Sequence, residues 1–184
     1  MTPEEIKKTW EEASRKLYHP TPEEFENMYR EKKETALERL ATKYRRFSTL
    51  SLIMTIVSCF WMFTPDTHLI SSEMKFVLPL TMMLYFATCS SIDWWLYRGV
   101  SSIDCFDMSV SEVIGKALYY RKKHLLSMIF LIPFAVIVFG VMAYSFKTDE
   151  YIIYAMGAGL IVGLTIGYRQ FREFMGEYKN ISRN

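Results

Sequence analysis

The sequence predicts an all-α, polytopic membrane protein. It has four transmembrane helices and a cytoplasmic, amphipathic helical N-terminal region. Three observations predict this. Apolar residues form 51% of the 184 residues, but they concentrate after Tyr44, and 21 of residues 1–46 are charged. Four apolar stretches follow, at about 47–64, 76–97, 125–146 and 151–168. The shorter ones rise ~27 Å as helices, against a hydrocarbon core of ~30 Å. The basic residues are also unevenly placed. Of 22 lysines and arginines, 11 precede Phe47, 5 lie from Arg98 to Lys123 and 4 lie beyond Tyr168, which leaves Lys75 and Lys147 for the other side. By the positive-inside rule, both termini and the connection 98–124 face the cytoplasm. A multi-pass protein of the cytoplasmic (inner) membrane is expected.

The elements follow in order. Thr2-Pro3-Glu4-Glu5 opens a first helix with a capping residue, a proline at the first helical position and a capping-box glutamate. Ile6, Trp10, Ala13 and Leu17 share one face of it. His19-Pro20 ends it. The same four letters return at Thr21-Pro22-Glu23-Glu24 and open a second helix. Its stripe is Phe25, Met28, Tyr29, Leu37, Leu40, Tyr44 and Phe47. These two helices make up region 1–46 and are expected to form a hairpin, or to leave one stripe open to a partner helix. No apolar run with a small-residue cleavage site precedes them, so no secretory signal peptide is expected.

The transmembrane domain spans 47–168. Pro65-Asp66 closes the first span. Pro79 is expected in the first turn of the second, where proline is tolerated. Arg98-Gly99 closes that helix. Ser109 and Glu112 form a capping box for a helix that should run into the third span and pack Val113, Ile114, Ala117 and Leu118 against the N-terminal helices. Pro133 predicts a kink. The outer loops, 65–75 and 147–150, are too short for a sensing domain. A polar tail, 169–184, starts as helix through Phe171 and Phe174. Trp61, Trp94 and Trp95 fall near the expected membrane interfaces.

Few residues point to chemistry. Gly159, Gly163 and Gly167 recur every four residues, a spacing that lets helix backbones approach closely, within the chain or between copies. Asp93 is the most embedded carboxylate, and its simplest role is an interfacial ion pair with Arg98, or with Arg45 or Arg46 at the same level. Asp104, Cys105, Asp107 and His124 match no metal-ligand spacing, and Cys59, Cys89 and Cys105 form no CxxC. No nucleophile elbow, P-loop or HExxH occurs. The expectation is a non-enzyme with no cofactor, no metal site and no direct nucleic-acid binding; the net charge of +2 by itself says nothing about nucleic acid.

The run SIDCFDMSVSEVIGKALYYRKKHL, Ser102–Leu125, together with the four-helix layout and the charged helical N-terminus, resembles small uncharacterised membrane proteins of bacteroidete-type bacteria. Those are often encoded beside sigma factors of the extracytoplasmic-function kind. The resemblance implies a regulatory, anti-sigma-like role, with a sigma factor as the soluble partner. From the residues themselves, the leading expectation is a membrane-tethered regulator or adaptor. Its partner-binding candidates are Trp10, Phe25, Tyr29 and Leu37. A small transport or channel subunit, suggested by Asp93 and Pro133, is the alternative, as is a structural homo-oligomer built on the glycine line. The lipid bilayer is a partner in every case.

Overall fold

The computed structural model describes residues 22–63, 74–146 and 150–182, together with Glu4. Trp10 and the first expected helix lie outside the described residues, as does the Phe25 side chain. Four long helices account for the described chain: α1 (Pro22–Trp61), α2 (Met74–Ser101), α3 (Val110–Ser145) and α4 (Glu150–Ser182). They run antiparallel in sequence order. Each packs on its chain neighbours and α4 closes back on α1, so that α1 lies diagonal to α3.

α1 continues for 40 residues without a break, a length of ~60 Å. No glycine or proline interrupts it after Pro22, which sits where its missing N–H costs nothing. The charged N-terminal half therefore passes straight into the apolar half. Its end tightens into i→i+3 bonds, from Met62 N–H to Cys59 O at 3.2 Å and from Phe63 N–H to Phe60 O at 3.0 Å. α3 begins at the capping box. Ser109 Oγ accepts from Glu112 N–H at 3.3 Å, and Glu112 Oε2 accepts from Ser109 N–H at 3.0 Å. The helix then runs 36 residues through Pro133 without leaving the helical conformation. The proline removes one backbone hydrogen bond there. Pro79 falls in the second turn of α2 rather than the first, because that helix already starts at Met74, two residues before the expected start.

Three helices are long and apolar enough to cross a membrane: α2, α3 and α4. Their outer surfaces carry side chains such as Phe130, Val136, Ile161 and Leu164, all exposed. Water would not tolerate such a surface; lipid does. The apolar part of α1 that lies in the described helix, 47–61, would rise only ~22 Å. The described residues thus contain three helices that meet the length and apolarity of a span, not the four expected.

The packed core lies at one end, called the head here. It gathers the middle of α1, the end of α2, the 102–109 connection, the start of α3 and the end of α4. Ala36, Leu37, Leu40, Tyr44, Leu96, Val100, Ile103, Cys105, Val113, Ala117, Phe174, Tyr178 and Ile181 form one buried cluster. From α3, Val113 and Ala117 enter it, while Leu118 is 44% exposed. Successive helical residues turn by ~100°, so 113 and 117 align and 118 turns away. The α3 segment rests on α2 and α4 rather than directly on α1, which it meets only through side chains across the ring. The tail is more ordered than expected, since α4 stays helical to Ser182.

Candidate functional site

The head is built from helical stripes of simple spacing. α1 supplies Leu37, Leu40 and Tyr44. α3 supplies Val113, Ala117 and His124. α4 supplies Phe174, Tyr178 and Ile181. Each set repeats at three, four or seven residues, as one face of a helix must.

An aromatic cluster sits at the centre. Tyr44 and Phe174 lie 4.8 Å apart between ring centroids, and His124 packs on both, at 5.5 Å from Tyr44 and 5.1 Å from Phe174. The hydroxyls of Tyr44 and Tyr178 share a hydrogen bond of 3.0 Å. Burial, with Tyr178 alongside, pushes the Tyr44 phenol well above its ordinary range. His124 stands on the head side of Leu125, where the apolar run of α3 begins. Both its ring nitrogens are buried without a hydrogen-bond partner among the described residues. Burial pushes its pKa down to about 4, so the ring is neutral in the folded protein. Beside the cluster, Lys43 Nζ reaches Glu173 at 3.5 Å and Glu177 at 3.8 Å and ties α1 to α4.

An open groove of about 400 Å³ runs between α1 and the α2–α3 connection. Leu37, Ala41, Val100 and Ile103 form its apolar floor, and Glu34, Glu38 and Asp104 stand around it. Phe106 at its end is 54% exposed. The connection is held in place from both sides. Arg30 Nη1 donates to Cys105 O at 2.9 Å and to Phe106 O at 3.0 Å. Asp104 accepts from the backbone N–H of Phe106 at 2.7 Å and of Asp107 at 3.1 Å. These two amides hold the Asp104 carboxyl below its ordinary range. Cys105 is buried, and burial pushes its thiol up. The arrangement offers an apolar floor with fixed carboxylates around it.

The residues singled out in the sequence are dispersed. Leu37 forms part of the groove floor and of the core. Tyr29 is half-buried with Lys33 Nζ 4.2 Å over its ring, and Lys33 itself is only 3% exposed. Asp93 and Arg98 do not form the expected ion pair: the ion pairs among the described residues are made elsewhere, and the Arg98 guanidinium lies 5.9 Å over the Trp94 ring. Five residues along a helix turn ~140° past a full circle, so 93 and 98 point to different sides. Gly159, Gly163 and Gly167 are exposed, and a Cβ built on any of them meets no described atom within 4 Å. Their line packs on no described part of the chain. Among the described residues, no group of three His, Cys, Asp or Glu could hold a metal ion.

Sequence reasoning missed Tyr178, His124 and Gly99. The first had a readable signal in the spacing of Phe174, Tyr178 and Ile181. In the sequence, His124 counts only beside Asp104, Cys105 and Asp107, a set that matches no metal-ligand spacing. Gly99 looked like a helix stop, yet it lies inside α2, where an added Cβ would strike the Tyr120 ring. No family model, no curated protein and no solved structure matches the chain.

Proposed function

We propose that the chain is a membrane-tethered regulator or adaptor that holds a soluble cytoplasmic protein on its head. One observation carries the reading. The packed core lies at a single end of the helices, and that end bears a groove with an apolar floor framed by three carboxylates. A groove of this kind suits an amphipathic helix with basic flanks. The resemblance of Ser102–Leu125 adds a sigma factor of the extracytoplasmic-function kind as the first partner to try.

Phe47–Thr64 is the fourth span in this reading, with both termini and the head in the cytoplasm. Two features support the span. Leu50, Leu52, Ile53, Ile56, Val57 and Phe60 are exposed apolar residues on α1. Ser48 Oγ donates to Ser90 O at 3.1 Å and Ser90 Oγ to Ser48 O at 3.0 Å, which joins α1 to α2. Such interhelical serine bonds suit helices packed in lipid. The distribution of lysine and arginine supports the orientation.

The test is crosslinking and co-purification of the full-length protein from its native membrane, against a Glu34→Lys/Glu38→Lys variant. One identified soluble protein, retained in stoichiometric amount by the wild type and lost by the variant, is the expected outcome. Retention of no soluble protein would sink the reading.

A second reading, self-association through α4, is favoured by the uncovered glycine line. Gly163→Leu would then lower the oligomer mass in detergent. An unchanged monomer mass in both proteins rejects it. The transport alternative rests on Asp93 and Pro133 and requires Asp93-dependent flux in reconstituted vesicles.

A further inference from the structure

α1 carries a second concavity, about 460 Å³, on the side away from the core. Thr42, Arg45, Arg46, Thr49, Leu50 and Ile53 line it. These positions form one stripe along three turns, ~17 Å long. The stripe has a polar end and an apolar end. Arg45 and Arg46 are exposed, and Leu50 and Ile53 beyond them are 56% and 51% exposed.

The two arginines differ from their neighbour Lys43. Lys43 is engaged by Glu173 and Glu177, and Arg169 also reaches Glu173. Arg45 and Arg46 enter none of the ion pairs among the described residues. Thr49 Oγ1 donates to Arg45 O at 2.9 Å, so it is committed to the helix. The free donors at the polar end are therefore the two guanidinium forks and the Thr42 hydroxyl.

We propose that this notch binds one anionic glycerophospholipid. Its phosphate sits on Arg45, Arg46 and Thr42, and the first part of an acyl chain lies along Leu50 and Ile53. Guanidinium forks pair with phosphate oxygens in bidentate fashion. A phosphate alone would use only the upper turn of the notch. A lipid uses its whole length, because lipid changes from charged to apolar over the same distance. The inference rests on the proposed placement of Phe47–Thr64 in the bilayer.

Native mass spectrometry of the full chain in detergent tests it, with phosphatidylglycerol or phosphatidylcholine titrated in. One phosphatidylglycerol per chain should be retained in preference to phosphatidylcholine. Arg45→Gln/Arg46→Gln should lower that retention about 30-fold, at ~1 kcal/mol per basic residue near anionic headgroups. Lys122→Gln/Lys123→Gln, at a similar level on α3, should leave it within about twofold, a change too small to represent a lost contact. Equal retention of both lipids by the wild type would overturn the proposal, as would equal loss in both variants. Displacement of the lipid by millimolar inorganic phosphate would mark a free-phosphate site and overturn the lipid assignment. Should the arginine variant fail to fold, the wild-type melting temperature decides: it must rise with phosphatidylglycerol and not with phosphatidylcholine.

A separate measurement isolates the underlying placement. Ile56→Cys, in a chain with Cys59, Cys89 and Cys105 replaced by Ser, should resist a water-soluble maleimide in vesicles. Ready labelling would remove the span. Protection without lipid preference would remove the notch alone.

Discussion

The hydroxyls of Tyr44 and Tyr178 meet at 3.0 Å inside the head, 134 residues apart in sequence. This bond closes the ring of helices by fastening α4 to α1. It lies within the one cluster to which all four helices contribute.

Either tyrosine changed to Phe leaves the other hydroxyl buried without its partner. Tyr44→Phe and Tyr178→Phe should each cost about 1–2 kcal/mol. The double variant should cost clearly less than the sum, because no polar group is then left alone. Thermal melts in detergent, followed by near-UV circular dichroism, measure the three variants. Strict additivity would show that the bond contributes nothing.

His124 makes the head sensitive to acid. Its pKa is about 4 in the folded protein, against 6.5 for the free side chain. Below pH 6.5 the unfolded chain takes up a proton that the folded chain refuses. Stability therefore falls as pH drops from 6.5 to 4, by up to ~3 kcal/mol, and is unaffected by His124 above about pH 7.5. His124→Phe should flatten this part of the acid limb relative to wild type. Parallel pH profiles for the two proteins would refute the assignment.

Glycines in two places should respond in opposite ways. Gly99→Val forces the Tyr120 ring from its packing on Trp95 and Tyr119, and overpacking of this kind costs about 1–3 kcal/mol. Gly159→Ala and Gly163→Ala meet open space and should stabilise α4 by up to ~1 kcal/mol in a monomer. Melting temperatures of the three variants check both directions.

Cys105 reports on the groove. The residue is 5% exposed, and burial pushes its thiol pKa up. A maleimide should label it slowly in the folded protein and rapidly after unfolding. Arg30→Ala removes the two bonds that hold the Cys105 and Phe106 carbonyls, so labelling should speed up several-fold without global unfolding, in proportion to local opening. Unchanged labelling would mean that Arg30 does not hold the connection.

Ser109→Ala deletes half of the capping box and should cost ~1 kcal/mol. Amide exchange over Val110–Leu118 should rise first, since the helix would open from that end. Protection equal to wild type would show that packing of Val113 and Ala117 alone fixes the helix start.

The sequence by itself determined the helices. Long apolar runs, capping residues and the positions of proline and glycine act within a few residues, so the capping box at Ser109 and the antiparallel order could be read directly. The charge distribution likewise separated a polar end from an apolar one. The expected span at 47–64 is not among the three helices long and apolar enough to cross a membrane, and the described helix α1 ends at Trp61.

Only the tertiary structure decided which residues meet. His124 and Lys33 are hydrophilic by type, yet both are buried, because neighbouring helices cover them. The Tyr44–Tyr178 bond and the groove between α1 and Ile103–Phe106 depend on which helix lies next to which. Periodicity fixes the face a residue shares with its neighbours on one helix. It contains no term for the helix across the ring. Asp93 and Arg98 illustrate the limit: proximity in sequence suggested a pair, and rotation about the helix axis separated them.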